Sequence, residues 1–323
     1  DLPAGRATRL ELVGPVLRWG RHDIGPAQAY AVTGDGLLVG APGLSGRRVL
    51  RAYPDTIPFR AEAAMARAAG LVGIHRSRRP GEGGELAGIR RRAAGDRLRR
   101  IDWRVTLRTR ELHIAQTFSD RDAEVVVLLD VLYDVGASQG IFGAASVLDT
   151  SVRASAAIAE HYLTQGDRVA VLEFSGHPRH LRAASGRRQL QMIQEWLLDT
   201  RAVAGSGDPP SYVIDPHLVP NSALVIVLTP LLGAPSIEMI ARLARAGRVV
   251  VAVDTLGNLG NRRLESSKWT SVARQLWRIE RENTIGLLRE VGVPVVAWAG
   301  AGSLDEVLRD VIRMSAAPRM VRR

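Results

Sequence analysis

Cysteine is absent from this chain, which removes disulfides, thiol nucleophiles and cysteine-ligated zinc or iron–sulfur centres from consideration. Lysine is nearly absent too. Lys268 is the only one, so the net charge of +11 is carried by arginine. An arginine bias of this kind also accompanies GC-rich genomes and does not by itself imply a polyanion partner. Aromatic residues make up 5% of the chain, few for a protein that grips nucleic acid by stacking. No run approaches the 18 consecutive apolar residues that a bilayer-spanning helix requires. Lys268 follows two serines without the glycines of a phosphate-binding loop, so ATP hydrolysis by this chain is not expected. Phe174-Ser175-Gly176 lacks the Gly-x-Ser-x-Gly elbow of serine hydrolases. His177 and His180 fall between two strand-like runs and are not read as a zinc pair. The chain opens at Asp1 and its first methionine is Met65, so a natural start upstream is the expectation, which leaves room for a removed signal peptide or anchor.

What is present is a core-forming sequence. Of 323 residues, 46% are hydrophobic, enough for one large core or two ordinary ones. Residues 1–58 are rich in Gly and Pro, with short apolar runs that read as brief strands joined by turns, a small β-rich unit. Two prolines in 53–58 break the chain, and 59–70 reads as a short helix ending at Gly70. A glycine-rich loop follows at 73–88. Residues 76–110 hold twelve arginines against Glu82, Glu85, Asp96 and Asp102, and 59–119 forms an arginine-rich connecting segment.

From 112 the pattern becomes regular. Residues 112–118 alternate as a half-buried strand does. Five β-branched, nearly continuous apolar runs follow, at 124–130, 168–174, 223–229, 248–254 and 293–298. Such runs suit parallel strands covered on both faces. Helical stretches separate them at 146–165, 187–199, 235–246 and 267–291, with another at 303–314; 200–222 is a proline- and glycine-containing gap. In 267–291, Leu276, Ile279, Ile285, Leu288 and Val291 read as a core-facing stripe. The fold class is therefore α/β: a doubly wound, mainly parallel sheet over 120–323, preceded by the β-rich unit.

Ligands of such sheets collect at the strand carboxyl ends where the order reverses. The first long strand ends at Asp130, with Tyr133 and Asp134 just beyond. This arrangement resembles a von Willebrand factor A domain, whose metal site is built on Asp-x-Ser-x-Ser after the first strand. Asp130 matches the aspartate, Leu132 replaces the first serine and Asp134 the second. Thr229 and Pro230 stand where a later aspartate is usual, and no clear threonine occurs near 205–211. Leu132 cannot ligate a cation, so the favoured reading is a degenerate site without metal, in which Asp130 hydrogen-bonds locally.

The segment 75–130 carries a distinctive run: Gly83 and Glu85, then Arg90, Gly95-Asp96, and Arg100-Ile101-Asp102-Trp103, with Arg108 beyond. It resembles the signature of the bacterial family called domain of unknown function fifty-eight, in which such a run leads into a von Willebrand A-like sheet. The resemblance implies a membrane-associated protein, its soluble region on the cytoplasmic face, working with MoxR-type AAA+ ATPases as chaperones in assembling or activating client complexes. Members often carry paired transmembrane helices ahead of the β region.

Read for themselves, the charges of this segment call for pairing, because isolated buried charges are costly. Asp96 and Asp102 are expected to pair with Arg90, Arg100 or Arg108, with Trp103 under a guanidinium. Apart from His113, no histidine or nucleophile lies nearby in sequence, so no catalytic residue, cofactor or enzymatic activity is assigned. The leading expectation is a non-enzymatic interaction module that binds protein at Tyr133 and Asp134 or at Arg91, Arg92 and Arg99. Anionic lipid is compatible with that. The alternative is a nucleic-acid or anionic-surface binder using Arg76–Arg110.

Overall fold

The computed structural model describes residues 11–298 apart from 12, 15, 17, 57–79, 94, 95, 97, 119–123, 137, 139–144, 203–213, 216, 217, 222 and 258–268. The helices expected at 59–70 and 303–314, Gly95, and the loop 205–211 lie outside the described residues.

In the N-terminal unit β1 (Gly20–Ile24) pairs antiparallel with β4 (Arg48–Ala52), and β2 (Gln28–Ala29) with β3 (Gly43–Leu44). Its apolar side chains largely face outward, but Trp19 is buried in the main core. Next, β5 (Pro80–Arg91) pairs antiparallel with β6 (His113–Phe118). A 3₁₀ turn (Leu98–Arg100) and a short helix α1 (Trp103–Thr109) are inserted between them. The glycine-rich stretch expected to be a loop is thus strand from residue 80 onward, with its register irregular between Gly81 and Gly88. Glycine there weakens side-chain packing without forbidding the ladder, and irregular register is its usual accompaniment.

Among the described residues, the body of the molecule is a six-stranded sheet with two helices on each face. It comprises β7 (Glu124–Asp130), α2 (Val147–Thr164), β8 (Arg168–Phe174), β9 (His180–Ala184), α3 (Arg187–Leu197) and β10 (Ala223–Thr229). It continues with α4 (Ala234–Arg245), β11 (Val249–Asp254), α5 (Thr270–Glu290) and β12 (Val295–Ala297). The strand order is β12-β11-β10-β7-β8-β9, all parallel except β9, which runs antiparallel to β8 at the edge. This is the doubly wound order, with its reversal between β7 and β10.

Alternation along the strands splits the core in two. Val125, Val127 and Leu129 of β7 pack with α2 and α3; Val126 and Leu128 face α4 and the end of α5. The N-terminus of α2 is set by a reciprocal capping box: Ser146 Oγ accepts from Asp149 N–H at 3.2 Å, and Asp149 Oδ2 accepts from Ser146 N–H at 3.1 Å. The expected inward stripe on α5 is corrected. Leu276 and Ile279 are 63% and 49% exposed and Val291 is 38% exposed; Leu288 alone is fully buried and Ile285 partly so. The helix has 21 residues, roughly 31 Å at 1.5 Å per residue, much longer than the strands beside it. Its C-terminal turns are the ones that reach the core.

Candidate functional site

The reversal places the ends of β7 and β10 side by side. Thr229 Oγ1 donates to Asp130 Oδ2 at 2.7 Å, and the Leu132 N–H donates to Asp130 Oδ1 at 3.2 Å. The threonine oxygen in turn accepts from Leu231 N–H at 3.0 Å. Ser236, in the first turns of α4, is buried close enough to favour the carboxylate, although its hydroxyl makes no well-formed hydrogen bond. Burial pushes the Asp130 pKa above the ordinary carboxyl range, against the opposing effects of Ser236, Thr229 and the Leu132 amide.

Side chains of the chain itself occupy the crevice around this carboxyl group. Leu132 and Leu231 are buried. Leu231 holds φ at +53°, a left-handed conformation costly for a γ-branched residue and the kind of strain that concentrates at functional sites. The ring of Tyr133, 39% exposed, lies on Gly233, where a Cβ would stand 2.4 Å from a ring carbon. Arg281 of α5 braces the same rim: its Nη1 donates to the Pro230 carbonyl at 2.8 Å and its Nη2 lies 2.5 Å from Asp254 Oδ2. Asp134 faces a different duty, accepting from Leu148 N–H at 3.0 Å at the start of α2, with Arg18 4.0 Å away. Asp130 and Asp134 therefore do not share a ligand point. Among the described residues no three His, Cys, Asp or Glu side chains converge as metal ligands would.

A second set of contacts, invisible to sequence reasoning, ties the N-terminal unit to this end of the sheet. Asp149 accepts from Arg18 Nε at 2.9 Å and from Trp19 Nε1 at 3.0 Å, besides its capping bond. Burial works to raise the Asp149 pKa, but Ser138, the Ser146 amide and Arg18 together hold it below the usual range. Farther along, Arg21 bridges Asp199 at 2.8 Å and Glu195 at 3.3 Å, and Glu195 also takes Arg51 and the Tyr53 hydroxyl. Between the two parts lies a cavity of about 230 Å³ bordered by Arg18, Trp19, Tyr53, Ser138 and Arg153. Only the Ser146–Asp149 capping box had a local signal; partners 130 residues apart leave none.

The arginine-rich signature forms a compact frame. Arg90 grips Asp96 with both terminal guanidinium nitrogens, Nη1 and Nη2, at 2.7 and 2.6 Å, and Ala93 N–H donates to the same carboxylate at 2.7 Å. The Arg90 fork first, then the Ala93 amide, lower the Asp96 pKa to about 2. Asp102 departs from expectation. It makes no ion pair among the described residues; its Oδ1 accepts from Val105 N–H at 3.1 Å as the N-cap of α1. Unsatisfied N–H groups at a helix start compete for a carboxylate, and here they hold it. Trp103 is 62% exposed, and among the described residues no guanidinium stands over it. Arg108 lies in the last turn of α1, and Arg91 pairs with Glu111 at 2.7 Å. Arg92 is exposed, its amide bonded to the Leu112 carbonyl at 2.8 Å. Gly83 and Glu85 belong to β5, and Arg99 and Arg100 to the 3₁₀ turn.

Fold and frame together define a doubly wound α/β domain preceded by an arginine-rich hairpin. Residues 88–263 match the family described as "Protein of unknown function DUF58", and the chain belongs to that family. It is similar to uncharacterized proteins of Mycobacterium tuberculosis (strains ATCC 25618 / H37Rv and CDC 1551 / Oshkosh) and of Mycobacterium bovis, at 29% identity over 192 residues. The match covers 58% of this chain and 59% of each relative.

Proposed function

We propose that this chain is a non-enzymatic interaction module with a von Willebrand A-like sheet. In this reading it is the soluble part of a membrane-associated protein, on the cytoplasmic face. It partners a MoxR-type AAA+ ATPase and serves as an adaptor in assembling or activating a client complex. The observation that carries the reading is the self-occupied switch point. Asp130 is held by Thr229 and the Leu132 amide, and Leu132, Leu231 and Tyr133 take up the crevice in which doubly wound enzymes hold substrate. Among the described residues the crevice around Asp130 is filled and loops are what this point of the sheet offers, which suits protein binding. Among the described residues no helix is long and apolar enough to cross a membrane. The test is binding of the purified chain to its cognate ATPase in nucleotide-free buffer, with and without a chelator. Equal affinity supports the adaptor; loss of affinity on chelation refutes the metal-free form of it.

The alternative, an anionic-surface or nucleic-acid binder, draws support from Arg92, Arg104, Arg108 and Arg110, which have no ion pair among the described residues. It requires a steep loss of duplex DNA binding with salt, and a further loss when these arginines become glutamate.

A further inference from the structure

Helix α1 presents an outward face that no other described residue complements. Trp103 and Leu107, one turn apart, are 62% and 76% exposed, and Leu98 just ahead of the helix is 62% exposed. Surface helices ordinarily turn such side chains toward the core; here the side chain that α1 buries is Thr106. In the adjoining row stand Arg104 and Arg108, both exposed and again one turn apart. Neither has an ion pair among the described residues, in contrast to Arg90 and Arg91, which are taken by Asp96 and Glu111.

The face is also rigid. A helix of seven residues does not persist alone in water. This one is fixed by the Asp102 cap, by Thr106 Oγ1 accepting from His113 N–H at 3.0 Å, and by the Asp102 amide donating to the His113 carbonyl at 2.9 Å. A preset surface of this kind reduces the ordering cost of binding. Tryptophan and arginine are the residues most often found to dominate such contacts.

We propose that the Trp103–Leu107 face, with Arg104 and Arg108, docks an acidic amphipathic segment of a partner protein. The partner's apolar side chains seat on Trp103 and Leu107, and its carboxylates pair with the two guanidiniums, whose forked geometry suits them. The proposal rests on the adaptor reading and names its contact surface. Nucleic acid would use the arginines but leave Leu98 and Leu107 uncompensated. A bilayer is less well matched: helices that lie on membranes present longer apolar faces.

The experiment measures binding of the whole chain, by fluorescence anisotropy at physiological salt, to a labelled synthetic helix with leucines on one face flanked by glutamates. Its glutamine counterpart, vesicles of phosphatidylglycerol with phosphatidylcholine, and a short DNA duplex are the comparisons. The glutamate helix is expected to bind. Trp103→Ala, or Arg104→Glu with Arg108→Glu, should each weaken it by about tenfold or more without changing the melting temperature. No binding, equal binding of the glutamine helix, stronger retention by vesicles or duplex, or unaltered binding by these variants would overturn the proposal. Wild-type affinity of the variants for the cognate ATPase would remove this surface and leave the adaptor reading standing. Failure of the wild-type chain to bind the ATPase, with peptide binding intact, would do the reverse.

Discussion

Across the switch point, Thr229 donates its hydroxyl proton to Asp130, Oγ1 to Oδ2, at 2.7 Å. The two residues are 99 positions apart and end neighbouring strands. The bond closes over a carboxyl group that burial drives toward its neutral form. That pairing makes the carboxyl end of the sheet a packed surface.

A consequence is a stability contribution that fades with rising pH. A carboxyl whose folded pKa lies above the unfolded value of about 3.9 binds its proton more tightly in the native state. Its favourable contribution is complete below that value and is lost as pH rises through the folded pKa. Asp130→Asn does not titrate, so the melting-temperature advantage of the wild type over this variant should shrink from pH 4 to pH 8 (about those limits). An advantage that grows over that range would contradict the assignment.

Gly233 leaves the space that the Tyr133 ring occupies. With a Cβ 2.4 Å from a ring carbon, Gly233→Ala should displace the ring and cost about 1–3 kcal/mol, the usual range for overpacking. Combining it with Tyr133→Ala should recover much of that loss in urea unfolding. Strict additivity would mean that the ring and the glycine do not interact.

Asp102 acts as a helix cap. Asp102→Ala should therefore cost about 1 kcal/mol, the typical value for an N-cap, and Asp102→Asn or Asp102→Ser should restore most of it. A loss of about 3 kcal/mol or more, not rescued by asparagine, would indicate a buried ion pair instead.

Asp149 holds the N-terminal unit in place. Asp149→Ala leaves the Trp19 indole N–H and the Ser146 amide without their acceptor. A cost of about 2–4 kcal/mol follows from losing several buried hydrogen bonds at once. Hydrogen exchange should report faster exchange in β1 and β4 while the amides of β7 and β10 stay protected. Uniform loss of protection would show that the unit does not open separately.

Much of the sheet was legible because it is buried on both faces. The runs Glu124–Asp130, Arg168–Phe174 and Ala223–Thr229 begin and end where their apolar character does. Strand β9 escaped because it lies at the edge, and His180–Ala184 is only intermediate to exposed along its length. The short helix α1 was hidden by its arginines and outward apolar side chains, which carry no inward period. Asp130 could be picked out as a carboxylate leaving a buried strand, and Asp96 as an arginine partner. What Asp102 does depended on a helix that the pattern did not announce. The clamp of Arg18 and Trp19 on Asp149 depended on chain reversal over 131 and 130 positions, which local periodicity does not encode.

The most direct measurement is calorimetric titration of the cognate AAA+ ATPase with wild-type chain and with Asp130→Asn, in nucleotide-free buffer containing chelator. An interaction module whose switch point is packed by its own side chains predicts the same dissociation constant for both. Binding by the wild type only after magnesium or manganese is restored, and by the asparagine variant under neither condition, would contradict it.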